Sequence, residues 1–468
     1  MAKDKRPRGL GRTAGVPPPS ESSKDDSNAS NSARFNPLGN KDTQSTMKSK
    51  DKDKEPKDQN QDQDMTNVDG EEKGAEPETA SLALQGNTEA GDELSELRQT
   101  YDAAQKQFAE SGAQEYLRGT IHECDRMVRN CGKDVYPSAE FNYIYASALH
   151  DFSVYGAEPE EVNGFVELGC EFANKAGELL KAGSENGEGW LWKYHVVAGR
   201  LLLQKADALY EEQEAASSKK QYQKLGNEIN QTLKEATILF STGFPMIPDG
   251  EEKYTVRLDK DVDPSADASN INKSIIKVVA KVHERISAAA NVAIHADRFD
   301  DYDRRKQWNE WALQTYRDVT QDTPENVEAW QGIATCLHSI VGWWADQADE
   351  EADMEDEDEE DEEPEDEYSL PIYSTERGQM SLQAVEAIQK AIELARKSEA
   401  LTGDLLTLGA ECHLNLVNIA VGDKAAAEQS RKAVVLIKEA IATFPDPALQ
   451  ERYSEVLREF EEITKDSD

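Results

Sequence analysis

The sequence predicts an all-α chain, a helical-repeat solenoid of stacked helix pairs behind a disordered N-terminal tail. Three observations predict it. Apolar residues recur at three- and four-residue steps through most of the chain after about residue 92. No long run shows the strict alternation of a strand. Every proline after residue 90 falls between the periodic segments or at their first turn, where a missing N–H costs little.

Residues 1–90 are rich in Ser, Asp, Lys, Asn and Gln and poor in large apolar residues. They cannot bury enough surface to offset the entropy of ordering, so disorder is expected. Their opening carries Lys3, Lys5, Arg6, Arg8 and Arg12. These read either as a nuclear address or as a merely basic tail.

Residues 91–240 read as N-terminal helical pairs. Leu94, Leu97, Tyr101 and Phe108 form one stripe, and Tyr116, Leu117, Ile121, Cys124, Val128 and Cys131 the next. Further stripes cover 139–155, 160–181, 190–212 and 218–240. Residues 241–270, rich in Gly, Pro and Asp, read as a long loop. Between 271 and 468 stripes cover 271–297, 303–321, 326–345, 378–397, 404–420, 425–443 and 448–464. Thr323-Pro324 and Asp446-Pro447 each read as an N-cap and a first helical residue. The last stripe (Leu449, Tyr453, Val456, Leu457, Phe460, Ile463) would close the stack.

The third region carries a repeat. Ala312, Tyr316, Val319, Pro324, Trp330, Ile333, Ala334 and Leu337 place small residues where two helices touch, a large one between them, Pro at the turn, and Trp in the next helix. That is the register of a 34-residue tetratricopeptide-like repeat running into its neighbour. Ala384, Ile388 and Ala391 fit the second helix of the repeat begun by Trp330. Leu405, Leu408, Gly409 and Cys412, then Ala433, Ile437, Ala440 and Pro445, give a second match with extra residues between its halves. Upstream of about residue 300 the signature fades into generic helical pairs. Trp330 is expected in the core, and its replacement by Ala to cost roughly 3–5 kcal/mol. Trp308 and Trp311 are read as core too. Trp343 and Trp344 point about 100° apart on a helix. Either both are covered, or one lines a groove as an anchor for a partner peptide.

An acid run from Asp349 to Glu367 interrupts the repeats, and only Ala352, Met354 and Pro364 in it are uncharged. It reads equally as a tether for Lys/Arg-rich partners and as a solvated loop. The chain as a whole has 468 residues and a net charge of −41. Such a surface repels nucleic-acid phosphate and anionic lipid, so neither membrane binding nor direct nucleic-acid binding is expected. Five cysteines without metal or redox spacing point to a reducing compartment. No apolar stretch approaches a membrane span, and no apolar core follows the N-terminal charges as in a signal peptide.

Catalytic and cofactor signatures are missing from the pattern, so neither an enzyme nor a cofactor site is expected. His122-Glu123 and His283-Glu284 begin like a zinc-protease helix, but Arg126 and Ser287 stand where the second His belongs. Gln331, Thr335, Leu406 and Thr407 occupy positions where chaperone-tail clamps carry Lys, Asn and Arg, which argues against that activity.

Two segments carry a closer resemblance. Lys5-Arg6-Pro7-Arg8-Gly9-Leu10-Gly11 and Ile121-His122-Glu123-Cys124-Asp125-Arg126-Met127-Val128-Arg129 are similar to motifs of the fungal "enhancer of translation termination 1" family. The order of basic start, tail and helical body agrees as well. The resemblance implies a non-enzymatic nuclear protein needed for efficient stop-codon recognition. It also implies a regulator of hypoxic gene expression that binds a prolyl-hydroxylase-like 2-oxoglutarate dioxygenase, as in a similar fission-yeast protein. The expected partners are therefore that dioxygenase and translation termination or ribosome-associated proteins. The alternative is an acidic chaperone for basic cargo such as histones or ribosomal proteins, motivated by the acid run.

Overall fold

The computed structural model describes residues 93–107, 113–131, 138–155, 159–183, 188–258, 273–355, 375–419, 423–444 and 447–465. The tail 1–90 with its basic address, Phe108, Pro445 and the acid run beyond Glu355 lie outside the described residues.

Among the described residues the chain is all-α apart from one hairpin. The helices are α1 Glu93–Lys106, α2 Ala113–Cys131, α3 Ala139–Tyr155, α4 Pro159–Lys181, α5 Glu188–Glu214, α6 Lys219–Gly243, α7 Ala280–Asp297, α8 Tyr302–Asp322, α9 Val327–Glu355, α10 Glu376–Lys397, α11 Gly403–Asn418, α12 Asp423–Thr443 and α13 Pro447–Lys465. Consecutive helices pack as pairs, α1 with α2 through α11 with α12, and α13 closes onto α12. This is the predicted stack of helical pairs. Its caps follow local chemistry: the side chains of Ser218, Asp301, Thr375 and Thr402 each accept from a backbone N–H in the first turn of α6, α8, α10 and α11.

The two rows of helices are not equivalent. Successive odd-numbered helices from α1 to α11 approach one another directly, while the even-numbered backbones stand further apart. A stack curves toward its closer row, so the odd helices form the inner wall. Long side chains bridge the outer row. Trp308 Nε1 donates to Asn230 Oδ1 at 3.0 Å, and Trp311 Nε1 to Ser241 Oγ at 3.2 Å.

The core falls into separate clusters and changes character along the stack. Around α1–α5 it is ring-rich: Tyr145 lies 4.2 Å from Phe172, and Phe152 meets Phe165 edge-on at 5.2 Å. From α7 to α12 it is built of alanines and aliphatics. Ala312, Val319, Ala334, Ile388 and Ala391 are fully buried, and Tyr316, Ile333, Leu337 and Ala384 nearly so. In the second match Leu405, Gly409, Ala433, Ile437 and Ala440 are buried and Leu408 is half-buried.

Several expectations need correction. Residues 241–270 are not simply a loop. A 3-10 turn at Phe244–Met246 follows α6, and β1 Glu252–Leu258 pairs antiparallel with β2 Lys273–Val279. The stripe read as a helix from 271 therefore splits at Ala280. Ile275, Ile276, Val278 and Val279 are β-branched, and a run of such residues resists a helix and suits a pleated ladder. Thr323-Pro324 does not begin α9. Thr323 ends α8, and Asn326 caps α9 by accepting from Ala329 N at 2.8 Å, which leaves Pro324 exposed in the turn. Trp330 is half-buried rather than core, because its indole turns back so that Nε1 donates to Pro324 O at 2.8 Å. The acid run begins inside α9, which continues through Glu355. Of the two other predicted core tryptophans, Trp308 is buried and Trp311 half-buried.

Candidate functional site

The inner wall formed by the odd helices is the face a partner would meet in a stack of this kind. A line of polar groups crosses it from α1 to α7. Tyr101 OH donates to Asp151 Oδ2 at 2.8 Å, and His150 Nδ1 lies 2.9 Å from the other carboxylate oxygen. Ser153 Oγ links α3 to Gln204 of α5 at 3.1 Å. Burial, and then the Asp151 charge, hold the Tyr101 hydroxyl well above its ordinary pKa, so it stays a donor.

The line ends in a charged latch. Glu284 of α7 is buried, with an ion pair to Arg200 of α5 on one carboxylate oxygen. On the other it accepts from Lys253 Nζ of β1 at 2.7 Å. Burial by itself would push the Glu284 carboxyl up; Arg200 and Lys253 outweigh it and bring the pKa down to about 2. Burial also lowers Lys253, against the pull of Glu284. Neighbouring His283 is held down to about 4, chiefly by burial and then by the Lys253 charge. The latch fixes the base of the β-hairpin to two inner-wall helices. Ala280 N adds a bond to Glu251 O at 2.8 Å.

No local motif marks this latch: His283-Glu284 resembles an incomplete zinc motif, and no sequence pattern singles out Arg200 or Lys253. The usable signal was register. Ala280, Ala288, Val292 and Ala296 are buried at four-residue steps, and Glu284 falls on the same stripe. A carboxylate at a core position needs cations brought to it from elsewhere in the fold.

Trp343 and Trp344 are both half-buried. Both pack on Tyr302, with ring centroids 4.8 and 5.0 Å away, and Trp343 Nε1 reaches Asp300 O at 3.4 Å. Neither stands free as the sequence allowed, and together they brace the start of α8. An open cleft between α12 and α13 is lined by Lys438, Ile441, Gln450, Ser454, Leu457 and Arg458.

The described residues bring no catalytic set together. No group of three His, Cys, Asp or Glu side chains converges as a metal site among them. Cys124, Cys336 and Cys412 are buried and burial pushes each thiol up, which disfavours a nucleophilic thiolate. His413 is engaged by Gln429 at 2.7 Å and His338 by Asn415 at 2.9 Å. Among the described residues no helix is long and apolar enough to cross a membrane.

Comparison with known proteins gives a partial match. The family model described as "Nuclear pore complex subunit Nro1" matches residues 46–244, less than half of the chain and ending one residue after α6. No curated protein matches the chain. Among solved structures, the nuclear import adaptor Nro1 of S. pombe is 15% identical, over 78% of this chain and 98% of that one, with a TM-score of 0.46. A second structure, described as the hypoxic regulator of sterol synthesis Nro1 acting as a nuclear import adaptor, gives 15% identity, coverages of 79% and 93%, and a TM-score of 0.46. A designed self-assembling cyclic homo-oligomer covers 75% of this chain at 10% identity and a TM-score of 0.15.

Proposed function

We propose that the protein is a non-enzymatic nuclear adaptor that holds a protein partner along the inner wall of its helical stack. The observation that carries this reading is the inner wall itself: six odd-numbered helices in a row, a polar line across the first four, and no catalytic set among the described residues. The match to the family model described as "Nuclear pore complex subunit Nro1" over 46–244 supports the nuclear compartment. The basic residues Lys3, Lys5, Arg6, Arg8 and Arg12 supply the chemistry of an import signal. The finer part of the reading is that the partner is a 2-oxoglutarate dioxygenase, or a component of translation termination. In either case the adaptor acts by mass action, because a partner on the wall is withdrawn from its competitors.

Two measurements test this. A fluorescent fusion should be nuclear, and should lose that location when the five basic residues are changed to Ala. Affinity purification of the full chain at moderate salt, with mass spectrometry, should recover the dioxygenase or termination factors. Recovery should fall for a variant with charge-reversed inner-wall positions. Recovery mainly of histones or ribosomal proteins, lost on deletion of 349–367, would replace the adaptor with a chaperone for basic cargo.

A further inference from the structure

The tip of the α5–α6 pair carries charges placed against a rule that other helices of the stack obey. Aligned peptide dipoles leave a helix N-terminus positive and its C-terminus negative, so acids suit the first turn and bases the last. Glu93, Glu96 and Glu376 open α1 and α10, and Lys106, Arg396 and Lys397 close them. By contrast, α5 ends on Glu211, Glu212 and Glu214 with no base in its last turn, and α6 begins on Lys219 and Lys220 with no acid in its first. Lys224 stands four residues after Lys220, where like charges on a helix repel.

Most of these charges have no use inside the chain. Glu214 pairs with Arg298 at 3.4 Å. Glu211, Glu212, Lys219, Lys220 and Lys224 are exposed and form no ion pair among the described residues. The turn that displays them is fixed. Ser218 Oγ accepts from Gln221 N at 3.3 Å, Gln213 Nε2 donates to Tyr222 O at 3.0 Å, and Tyr222 OH donates to Asp300 Oδ2 at 2.9 Å. Ala215 is exposed beside the charges, and so is Tyr222, at 41%. A rigid patch with acid on one helix end and base on the next is self-complementary. A two-fold rotation lays the acids of one copy on the lysines of another. An acidic partner would satisfy only the lysines, and a basic one only the glutamates.

We propose that the α5–α6 tip is a self-association surface, on which a second copy of this chain docks about a two-fold axis. Glu211 and Glu212 of each copy then face Lys219 and Lys220 of the other. Pairing across the interface returns what each wrongly charged helix end gives up alone. The fixed turn leaves little ordering to be done on docking. The pairs lie in water, so the association is weak and salt-sensitive. It uses none of the polar line across the inner wall.

The test is sedimentation velocity of the full-length protein over a concentration series, at low and high salt. The wild type should move toward a dimer as its concentration rises at low salt, and return to a monomer at high salt. The variants E211K/E212K and K219E/K220E each carry a tip of one sign. Each should weaken self-association by roughly tenfold or more. An equimolar mixture of the two should associate again, since each supplies the sign that the other lacks. Melting at low protein concentration guards against a folding defect. Each variant removes wrongly signed charge from a helix end, so its melting temperature should match or exceed that of the wild type. A wild type that stays monomeric throughout would overturn the proposal, as would variants that dimerise like it or a mixture that does not associate. A lowered melting temperature would overturn it by showing that the charges serve the fold. Self-association seen only after deletion of 356–374 would do so too, by making the chain's own acid run the occupant of the lysines. The nuclear-adaptor reading stands or falls separately, on the localisation and recovery experiments.

Discussion

The first and second halves of the stack reach one architecture with different chemistry. Around α7–α12 the contact positions hold alanines, so helix backbones approach closely and a tetratricopeptide-like register emerges. Around α1–α5 the same contacts are made by rings, Phe141, Tyr145, Phe152 and Phe172 among them, and the register disappears. Each half also keeps a helical glycine that admits a ring. A Cβ at Gly199 would lie 2.7 Å from Phe240, and one at Gly332 2.3 Å from Tyr316. The repeat signature therefore marks one packing solution rather than the fold itself. Any sequence that fills the space between paired helices at interior density satisfies the same geometry.

The comparison can be broken or sharpened by substitution, read as urea denaturation of purified variants. The largest effect is expected in the ring-built half. Tyr145 is buried, packs on Phe172 and bonds Asp125, so Tyr145→Ala should cost about 3–5 kcal/mol. A loss below about 1 kcal/mol would mean that the rings are not the core. In the alanine-built half, Leu337→Ala should cost about 2–5 kcal/mol, and Trp330→Ala less, roughly 1–2 kcal/mol, because the indole is half in water. The reverse order would restore the tryptophan to the core.

At the junction of the halves, Glu284→Gln should cost about 2–3 kcal/mol at pH 7, since it removes the charge that pairs Arg200 and Lys253. The pH dependence has a definite sign. The folded Glu284 carboxyl titrates at about 2 against an ordinary value of 4.5. Its contribution is thus complete above pH 4.5 and lost as pH falls toward 2. His283, held at about 4 against 6.5, resists protonation in the fold, so stability also declines as pH drops from 6.5 toward 4. Urea midpoints at pH 7, 5 and 3.5 should fall in that order. Glu284→Gln should flatten only the limb below pH 4.5, and an unchanged limb would dissociate Glu284 from the latch.

Gly199→Ala and Gly332→Ala should each cost a comparable amount, about 1–3 kcal/mol, by crowding a ring. Comparable costs would confirm that the halves use glycine in the same way. Val435→Ala, at a residue 62% exposed on α12, should stay within about 0.5 kcal/mol, and a larger loss would reveal a contact on the outer row.

The sequence by itself determined the helices. Their number, order and approximate bounds follow from the spacing of apolar residues, which is a property of each segment alone, and the same spacing put Ala312, Ile333 and Ile388 in the core. Tertiary structure decided the rest. The apolar content of residues 273–279 predicts a helix, but pairing with β1 across an intervening segment makes them a strand. Register places Trp330 in the core, and the turn at Pro324, six residues before it, draws its indole outward. Above all, the latch unites Arg200, Lys253 and Glu284, which are 84 and 31 residues apart in their pairings. A local pattern records which face of a helix is buried. It does not record which distant charge will meet a carboxylate placed on that face, because that partner is chosen only when the helices stack.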